Sequence, residues 1–311
     1  MTTTAISSVH HRLHPPLQAD ELLTTKELAA WLRISPRTVY HRVNRGEIPF
    51  VRAGGKLLFD RPRIEAWVRQ GSVGDAPDDG GSAEATLAGS HDPLLEWAVR
   101  SSACGLALAC NGSSDGLERL ATRRACAALI HLPDAQGEGF NREAIIERLA
   151  GLPVVSMLWA RREQGLVLAR GNPLKIRSLH DLVRGRRRVI RRQTGAGSNQ
   201  LFAKLMRQGG LSFDRLRLLD QPAQSETEVA ESVLDGFADA GLAVRAVAKR
   251  HGLDFLPITW ETVELVAWRR SVFEPPLQAL LQCARSRRFA AHARRLEGYD
   301  LGDSGRIMYN A

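Results

Sequence analysis

The chain's 311 residues are enough for two or three domains with cores of their own, and a hydrophobic share of 44% fits a globular protein. No run of about eighteen apolar residues occurs, and residues 1–20 hold no apolar leader, so a membrane-spanning or exported protein is not expected and a cytoplasmic one is. The net charge of +9 points to a polyanionic partner, nucleic acid first.

Residues 1–20 read as a disordered tail, in which His10, His11 and His14 stand among polar residues and Pro15-Pro16 with no cysteine nearby. Residues 21–70 read as a winged helix-turn-helix. Thr24, followed three residues later by Glu27, is a capping box that opens a helix bearing Leu28, Ala29 and Leu32. Ser35-Pro36 opens a second helix, and Gly46 ends it. Val39 and Val43 must face inward, so at ~100° per residue the opposite face presents Arg37, His41, Asn44 and Arg45. Two strand-like runs, Ile48 to Val51 and Lys56 to Phe59, are joined through Gly54-Gly55, with Arg52 and Lys56 flanking the hairpin tip. Asp60 caps a third helix whose packing face is Ile64, Trp67 and Val68.

The series Leu22-Leu23-Thr24, Ala29, Leu32, Ser35-Pro36-Arg37-Thr38-Val39-Tyr40, Arg45-Gly46-Glu47-Ile48-Pro49 and Trp67 resembles the excisionase and MerR-type DNA-binding domain. The resemblance implies that the second helix enters the major groove and the wing touches the backbone. It places DNA contact on Arg37, Thr38, His41, Asn44 and Arg45 in the helix and on Arg52 and Lys56 in the wing.

Residues 71–84, rich in glycine, serine and acid, read as a flexible linker. No heptad run follows the third helix, so a homodimer or higher oligomer must be held elsewhere. From residue 85 to 311, short apolar strands alternate with amphipathic helices, the pattern of an α/β domain. Separate strands are expected over Val154 to Trp159, Gly165 to Leu168, Phe255 to Ile258 and Val263 to Trp268. Three strand-to-helix turns are rich in Gly and Ser: Gly89-Ser90, Gly112-Ser113-Ser114, and Thr194-Gly195-Ala196-Gly197-Ser198. Serine hydroxyls and helix N-terminal amides should converge there at the carboxyl edge of a sheet, where an anion is favoured. The same serines also suit plain helix caps.

In order, Gly89-Ser90-His91-Asp92, Gly112-Ser113, His131-Leu132 with Asp134, Gly137 and Asn141, Arg162 with Gln164-Gly165, Gly171-Asn172-Pro173, Arg192-Gln193 with Gly197-Ser198, and Ala238-Asp239 with Gly241-Leu242 form a series. It resembles the periplasmic-binding-protein-like domain found fused to helix-turn-helix modules and to molybdopterin-biosynthesis proteins. The implied fold class is multidomain: a small α+β winged helix-turn-helix, then a two-lobed α/β type II periplasmic-binding-protein fold. Lobe 1 would take residues 85–155 and 266–311, and lobe 2 residues 156–265. Similar folds bind molybdate or tungstate through neutral donors, which Ser90, Ser113, Ser114, Thr194, Gly197 and Ser198 would supply. Gly195, Arg192 and Asp239 complete the expected ligand set.

The cluster Arg184, Arg186, Arg187, Arg188, Arg191 and Arg192 serves DNA contact, steers an anion, or is a solvated loop. His131 and Asp134 read as a strand end, because a third metal ligand and a nucleophile are missing. No Gly-x-Ser-x-Gly elbow, Walker loop or dinucleotide fingerprint occurs, and Cys104, Cys110, Cys126 and Cys283 form no CxxC pair. Neither an enzyme nor a cofactor nor a metal is expected. The function expected is a one-component transcriptional regulator whose sensor binds a small anion, molybdate or tungstate first. The alternatives are an organic carboxylate effector, an accessory protein of molybdenum-cofactor metabolism, and an architectural DNA protein.

Overall fold

The computed structural model of the protein describes residues 22–32, 34–44, 48–70, 83–135 and 139–310. They form two compact units, one within residues 1–80 and the other within 81–311. The expected tail, Arg45, Gly46, Gly137 and most of the expected linker lie outside the described residues, as do the side chains of Asn44 and Val68. Among the described residues no helix is long and apolar enough to cross a membrane.

The first unit runs β1 (Leu22–Thr24), α1 (Thr25–Trp31), α2 (Pro36–Asn44), β2 (Val51–Ala53), β3 (Lys56–Asp60) and α3 (Arg61–Gln70). Thr24 and Glu27 form the reciprocal cap, the Thr24 N–H donating to the Glu27 carboxylate at 2.7 Å and the Glu27 N–H to the Thr24 hydroxyl at 3.4 Å. Leu28, Val39, Val43, Ile48, Phe59 and Ile64 make the core. The strand expected from Ile48 begins only at Val51. Pro49 has no N–H for a ladder, and Ile48 is drawn into the core instead. β1, which the sequence pattern did not reveal, pairs antiparallel with β3 and gives the sheet order β1-β3-β2.

The second unit begins with β4 (Thr86–Gly89), α4 (Pro93–Ser102), β5 (Ala107–Ala109), α5 (Ser113–Ala121), β6 (Ala127–Ile130) and α6 (Arg142–Leu149). It continues with β7 (Val154–Leu168), α7 (Leu179–Arg184), β8 (Arg188–Ile190), α8 (Gly197–Gln208), β9 (Arg217–Leu218), α9 (Glu226–Leu234), β10 (Ala240–Val244) and α10 (Arg245–Arg250). β11 (Asp254–Trp268), α11 (Pro275–Ala284), α12 (Arg287–Leu296), β12 (Tyr299–Asp300) and β13 (Ile307–Asn310) complete it. Its sheet has the order β5-β4-β6-β11-β7-β10-β8-β9, with β12 and β13 on the flank of β7. Ala83, expected in the linker, is 8% exposed and joins the core of this unit.

β4 lies parallel to β5 and β6 at one end of the sheet, and β8 lies parallel to β9 and β10 at the other. Between them β7 and β11 run antiparallel for their whole lengths. The two pairs of strands expected here are thus two single strands of 15 residues each. The polar stretch Arg161 to Gln164 breaks the apolar pattern, yet Arg162 and Gln164 are buried within the ladder.

The expected lobe boundaries shift accordingly. Met157, Trp159, Ala160, Val263 and Leu265 pack in the core of lobe 1, while Leu166, Val167 and Leu168 serve the two cores of lobe 2. The chain changes lobe in mid-strand, near Arg162 and Glu261, and those residues therefore sit at the floor of the cleft.

Candidate nucleic-acid interface and ligand cleft

In the first unit, α2 turns Val39 and Val43 into the core at 0% and 5% exposure, leaving Arg37, Tyr40 and His41 on the outer face. Ser35 caps the helix, its hydroxyl accepting from the Thr38 N–H at 3.1 Å. Thr38 is half-buried and its own hydroxyl lies 2.8 Å from that of Ser35, so it belongs first to the cap. Gly54 and Gly55, with φ of 56° and 76°, make the tight turn between β2 and β3 that only glycine adopts without strain. Arg52 and Lys56 are exposed beside that turn, and the Arg52 guanidinium lies over the Phe50 ring.

In the second unit, the parallel strands of both lobes point their carboxyl ends at one cleft. Gly89 at the end of β4 has φ of 106°, and a Cβ there would stand 2.2 Å from the Leu129 carbonyl oxygen, so only glycine fits. Gly116 of α5 packs directly on it, which brings the N-terminus of α5 over the strand end. The Ser90 and Ser113 hydroxyls meet at 2.7 Å, and Ser113 accepts from the His131 N–H at 3.2 Å.

Lobe 2 closes on this edge. The Ser114 N–H donates to the Gly195 carbonyl at 3.3 Å, and the Gln193 amide donates to the Asn111 carbonyl at 3.2 Å. Gly112 lies so near Gly195 that a Cβ would come within 2.9 Å of the Gly195 oxygen. Neither α5 nor α8 has a side-chain cap: Gly112 precedes one and Ala196 the other. Both helix starts face the cleft without a capping side chain, and of their amides that of Ser114 is already taken by the Gly195 carbonyl. Ser198, 1% exposed, has a buried hydroxyl with no partner.

Arg192 is 6% exposed and pairs with no carboxylate among the described residues. Its Nε–H donates to the Ala223 carbonyl and to Gln193, and its Nη2 donates to the Gln224 carbonyl. Burial pushes its pKa down, and the charge of Glu226 works against that. The structure therefore gathers Ser90, Ser113, Ser114, Arg192, Gly195, Gly197 and Ser198 around the cleft, while Thr194 is exposed.

Asp239, expected in the ligand set, is not among them. It stands at the amino end of β10, away from the cleft, and accepts from the Arg188 backbone N–H at 2.9 Å and from its guanidinium at 2.6 Å. That ion pair consumes its charge.

A buried polar network lies on the cleft floor, and no local sequence pattern joins its members. Arg162, at 0% exposure, donates through Nη1 to Asp92 at 2.9 Å, donates through Nε to Glu261, and lies 3.6 Å from Glu226 through Nη2. Gln164 donates to Glu226 at 3.1 Å and to Glu261 at 2.9 Å. His131 Nδ1 stands 2.8 Å from Glu261, and the Tyr299 hydroxyl donates to Asp92 at 2.8 Å. Asp92 caps α4 in lobe 1 and Glu226 opens α9 in lobe 2, so the network ties both lobes to the crossing strands. Burial raises the Glu261 carboxyl, but the Arg162 charge and His131 outweigh it and hold the group at about 2. Burial also opposes the Arg162 charge, yet Glu261, Glu226 and Asp92 keep it protonated well above its usual range. The available signal was Glu261 and Glu264, two acids within an otherwise apolar run.

A helix-turn-helix unit followed by a two-lobed cleft is the architecture of a ligand-sensing, DNA-binding regulator. The model of a helix-turn-helix domain matches residues 22–72, in keeping with the excisionase-like resemblance, and that of the PBP superfamily domain matches residues 96–285. The chain belongs to the PBP superfamily, with a helix-turn-helix domain ahead of that fold. YvgK of Bacillus subtilis (strain 168), an uncharacterized protein, is 24% identical over 303 residues, covering 92% of this chain and 97% of its own. A protein from Clostridium perfringens described as a phosphate ABC transporter substrate-binding protein, with bound phosphate, matches with a TM-score of 0.51 at 12% identity, over 68% of this chain and 96% of that one. An H2O2-bound mutant of Corynebacterium glutamicum OxyR gives a TM-score of 0.49 at 14% identity, over 88% of this chain and 89% of that one.

Proposed function

We propose that the protein is a non-enzymatic, one-component transcriptional regulator that binds a small oxyanion in the closed cleft, with molybdate and tungstate the leading effectors. The observation that carries this reading is the facing pair of uncapped helix N-termini, α5 and α8, with the unpartnered Ser198 hydroxyl between the lobes. Arg192 adds a fixed positive charge. Its Nε–H and one Nη2–H are already held by protein acceptors, which leaves Nη1 and the second Nη2–H to an anion. Arg162 is occupied by its own carboxylates. An organic carboxylate is the second choice.

In this reading the anion binds the closed lobes better than the open ones, and only that difference in affinity shifts the population. A homodimer, in which closure sets the spacing of two recognition helices, turns the shift into altered operator binding. The test is thermal unfolding with molybdate, tungstate, sulfate, phosphate and small organic acids. An effector at ~100 times its Kd stabilises the protein by about 2.7 kcal/mol. Stabilisation by an organic acid alone removes the oxyanion.

Arg37, His41, Asn44, Arg45, Arg52 and Lys56 make the DNA contacts of this regulator, with Thr38 fixing the start of the helix. Arg37→Ala is expected to cost about 1–3 kcal/mol on the operator and little on random duplex. Arg52→Ala should weaken both equally and lower the salt slope by about 0.9. Fluorescence anisotropy on the two duplexes at several salt concentrations checks both, and equal losses from Arg37→Ala on both duplexes would refute its role as a base reader.

A further inference from the structure

The topology of lobe 2 gathers positive charge at the end away from the cleft. Leu168 at the end of β7 pairs with Ala240 at the start of β10, and β8 and β9 begin beside them at Arg188 and Arg217. The segments entering and leaving this end carry Lys175, Arg177, Arg186, Arg187 and Arg215. From Arg170 to Arg217 the sequence has thirteen lysines and arginines and two carboxylates, Asp181 and Asp214, in a chain whose whole net charge is +9.

The acids nearby neutralise little of it. Asp181 holds Arg184 at 2.8 Å, and Asp239 holds Arg188 at 2.6 Å. Asp214 accepts from the Ser212 hydroxyl, and Asp235 and Asp254 lie at the same end. Lys175, Arg177, Arg186, Arg215 and Arg217 are exposed and pair with no carboxylate among the described residues. Arg217 stands directly opposite Arg188 in the β8–β9 ladder, and with Arg188 held by Asp239 it is Arg217 that is left facing outward without a counter-charge.

We propose that this end of lobe 2 is a second contact with the phosphate backbone of duplex DNA. The surface carries several separate cations and no pocket is needed, which suits a line of regularly spaced phosphates read without sequence. The proposal rests on the reading that the helix-turn-helix unit binds DNA. Once that unit is bound, the covalent link raises the local concentration of duplex at lobe 2, so a contact too weak to act alone adds to the complex.

The test compares the full-length protein with Arg186→Ala/Arg215→Ala/Arg217→Ala and, separately, with Arg37→Ala/Arg52→Ala, each first shown to keep the parent's melting temperature. Affinity for duplex DNA is measured against salt. Each phosphate contact removed lowers the slope by about 0.9, so the triple variant should lose ~2–3 units of slope and bind ~10–100-fold more weakly near 0.1 M salt, on operator and random duplex alike. An unchanged slope in the triple variant, with a clear loss in the Arg37/Arg52 variant, overturns the lobe 2 contact and leaves the helix-turn-helix reading standing. The converse result overturns that reading and, with it, the tethered second contact, leaving lobe 2 as a DNA-binding surface in its own right. Loss of retention on phosphatidylserine vesicles, with an unchanged DNA slope, would overturn the proposal in favour of a membrane surface.

Discussion

Arg162→Met is expected to lower the stability of the second unit by about 3–5 kcal/mol, because it leaves buried carboxylates without their counter-charge. Asp92, Glu226 and Glu261 all face that guanidinium, and all are excluded from water. Methionine keeps much of the volume, so the loss reports charge and not a cavity. Urea unfolding at neutral pH measures it directly. Adding Glu261→Gln to Arg162→Met should recover part of the loss, since one of the stranded charges is then gone.

The pH dependence gives an independent reading of the same network. Glu261 has its carboxyl depressed to about 2 in the folded protein, against an ordinary value of 4.5. The stability this supplies is present above the unfolded pKa and disappears as pH falls through the folded one, so the window is pH 4.5 down to about 2. It amounts to roughly 3 kcal/mol. In Arg162→Met the effect reverses: protonation relieves the uncompensated acids, and the deficit relative to the parent should shrink as the pH is lowered from 7 toward 4. A deficit that stays constant over that range would mean that Arg162 acts through packing alone.

This network also marks where sequence reasoning stops. The helix-turn-helix was legible because its signals are local: Thr24 and Glu27, Ser35 and Pro36, and Gly54 with Gly55 each determine a turn or cap within a few residues. The Gly-Ser turns at the cleft were legible for the same reason. Arg162 and Glu261 are 99 residues apart, and nothing within either neighbourhood names the other. The polar residues around each make two continuous strands, β7 and β11, read as two pairs of short ones. Asp239 misled in the opposite way. It sits in a family motif, but its carboxylate serves Arg188 at the wrong end of β10 for the cleft. Sequence pattern locates caps and turns well, and it locates buried ion pairs only when the partners share an element.

Closure itself is open to a one-methyl test. A Cβ at Gly197 would stand 2.5 Å from the His131 carbonyl oxygen and within 2.9 Å of the imidazole ring, all of it on the opposite lobe. Gly197 is the first residue of α8, where alanine is a better helix former than glycine by up to about 1 kcal/mol. Gly197→Ala therefore leaves lobe 2 intact and strikes lobe 1 only when the cleft shuts. The oxygen belongs to the backbone next to β6 and has no rotamer to escape into, so the lobes must separate. The expected result is a larger radius of gyration by small-angle scattering and loss of most of the thermal stabilisation by the effector, with little change in the melting temperature of the ligand-free protein. Gly209→Ala is the control, since a Cβ at that end of the same helix meets its nearest neighbours at an ordinary 3.5 Å. If Gly197→Ala closes and responds to effector as the parent does, the Gly197 contact is not what limits the approach of the lobes. If it opens and still responds, the anion is held by one lobe alone and the facing helix N-termini do not share it.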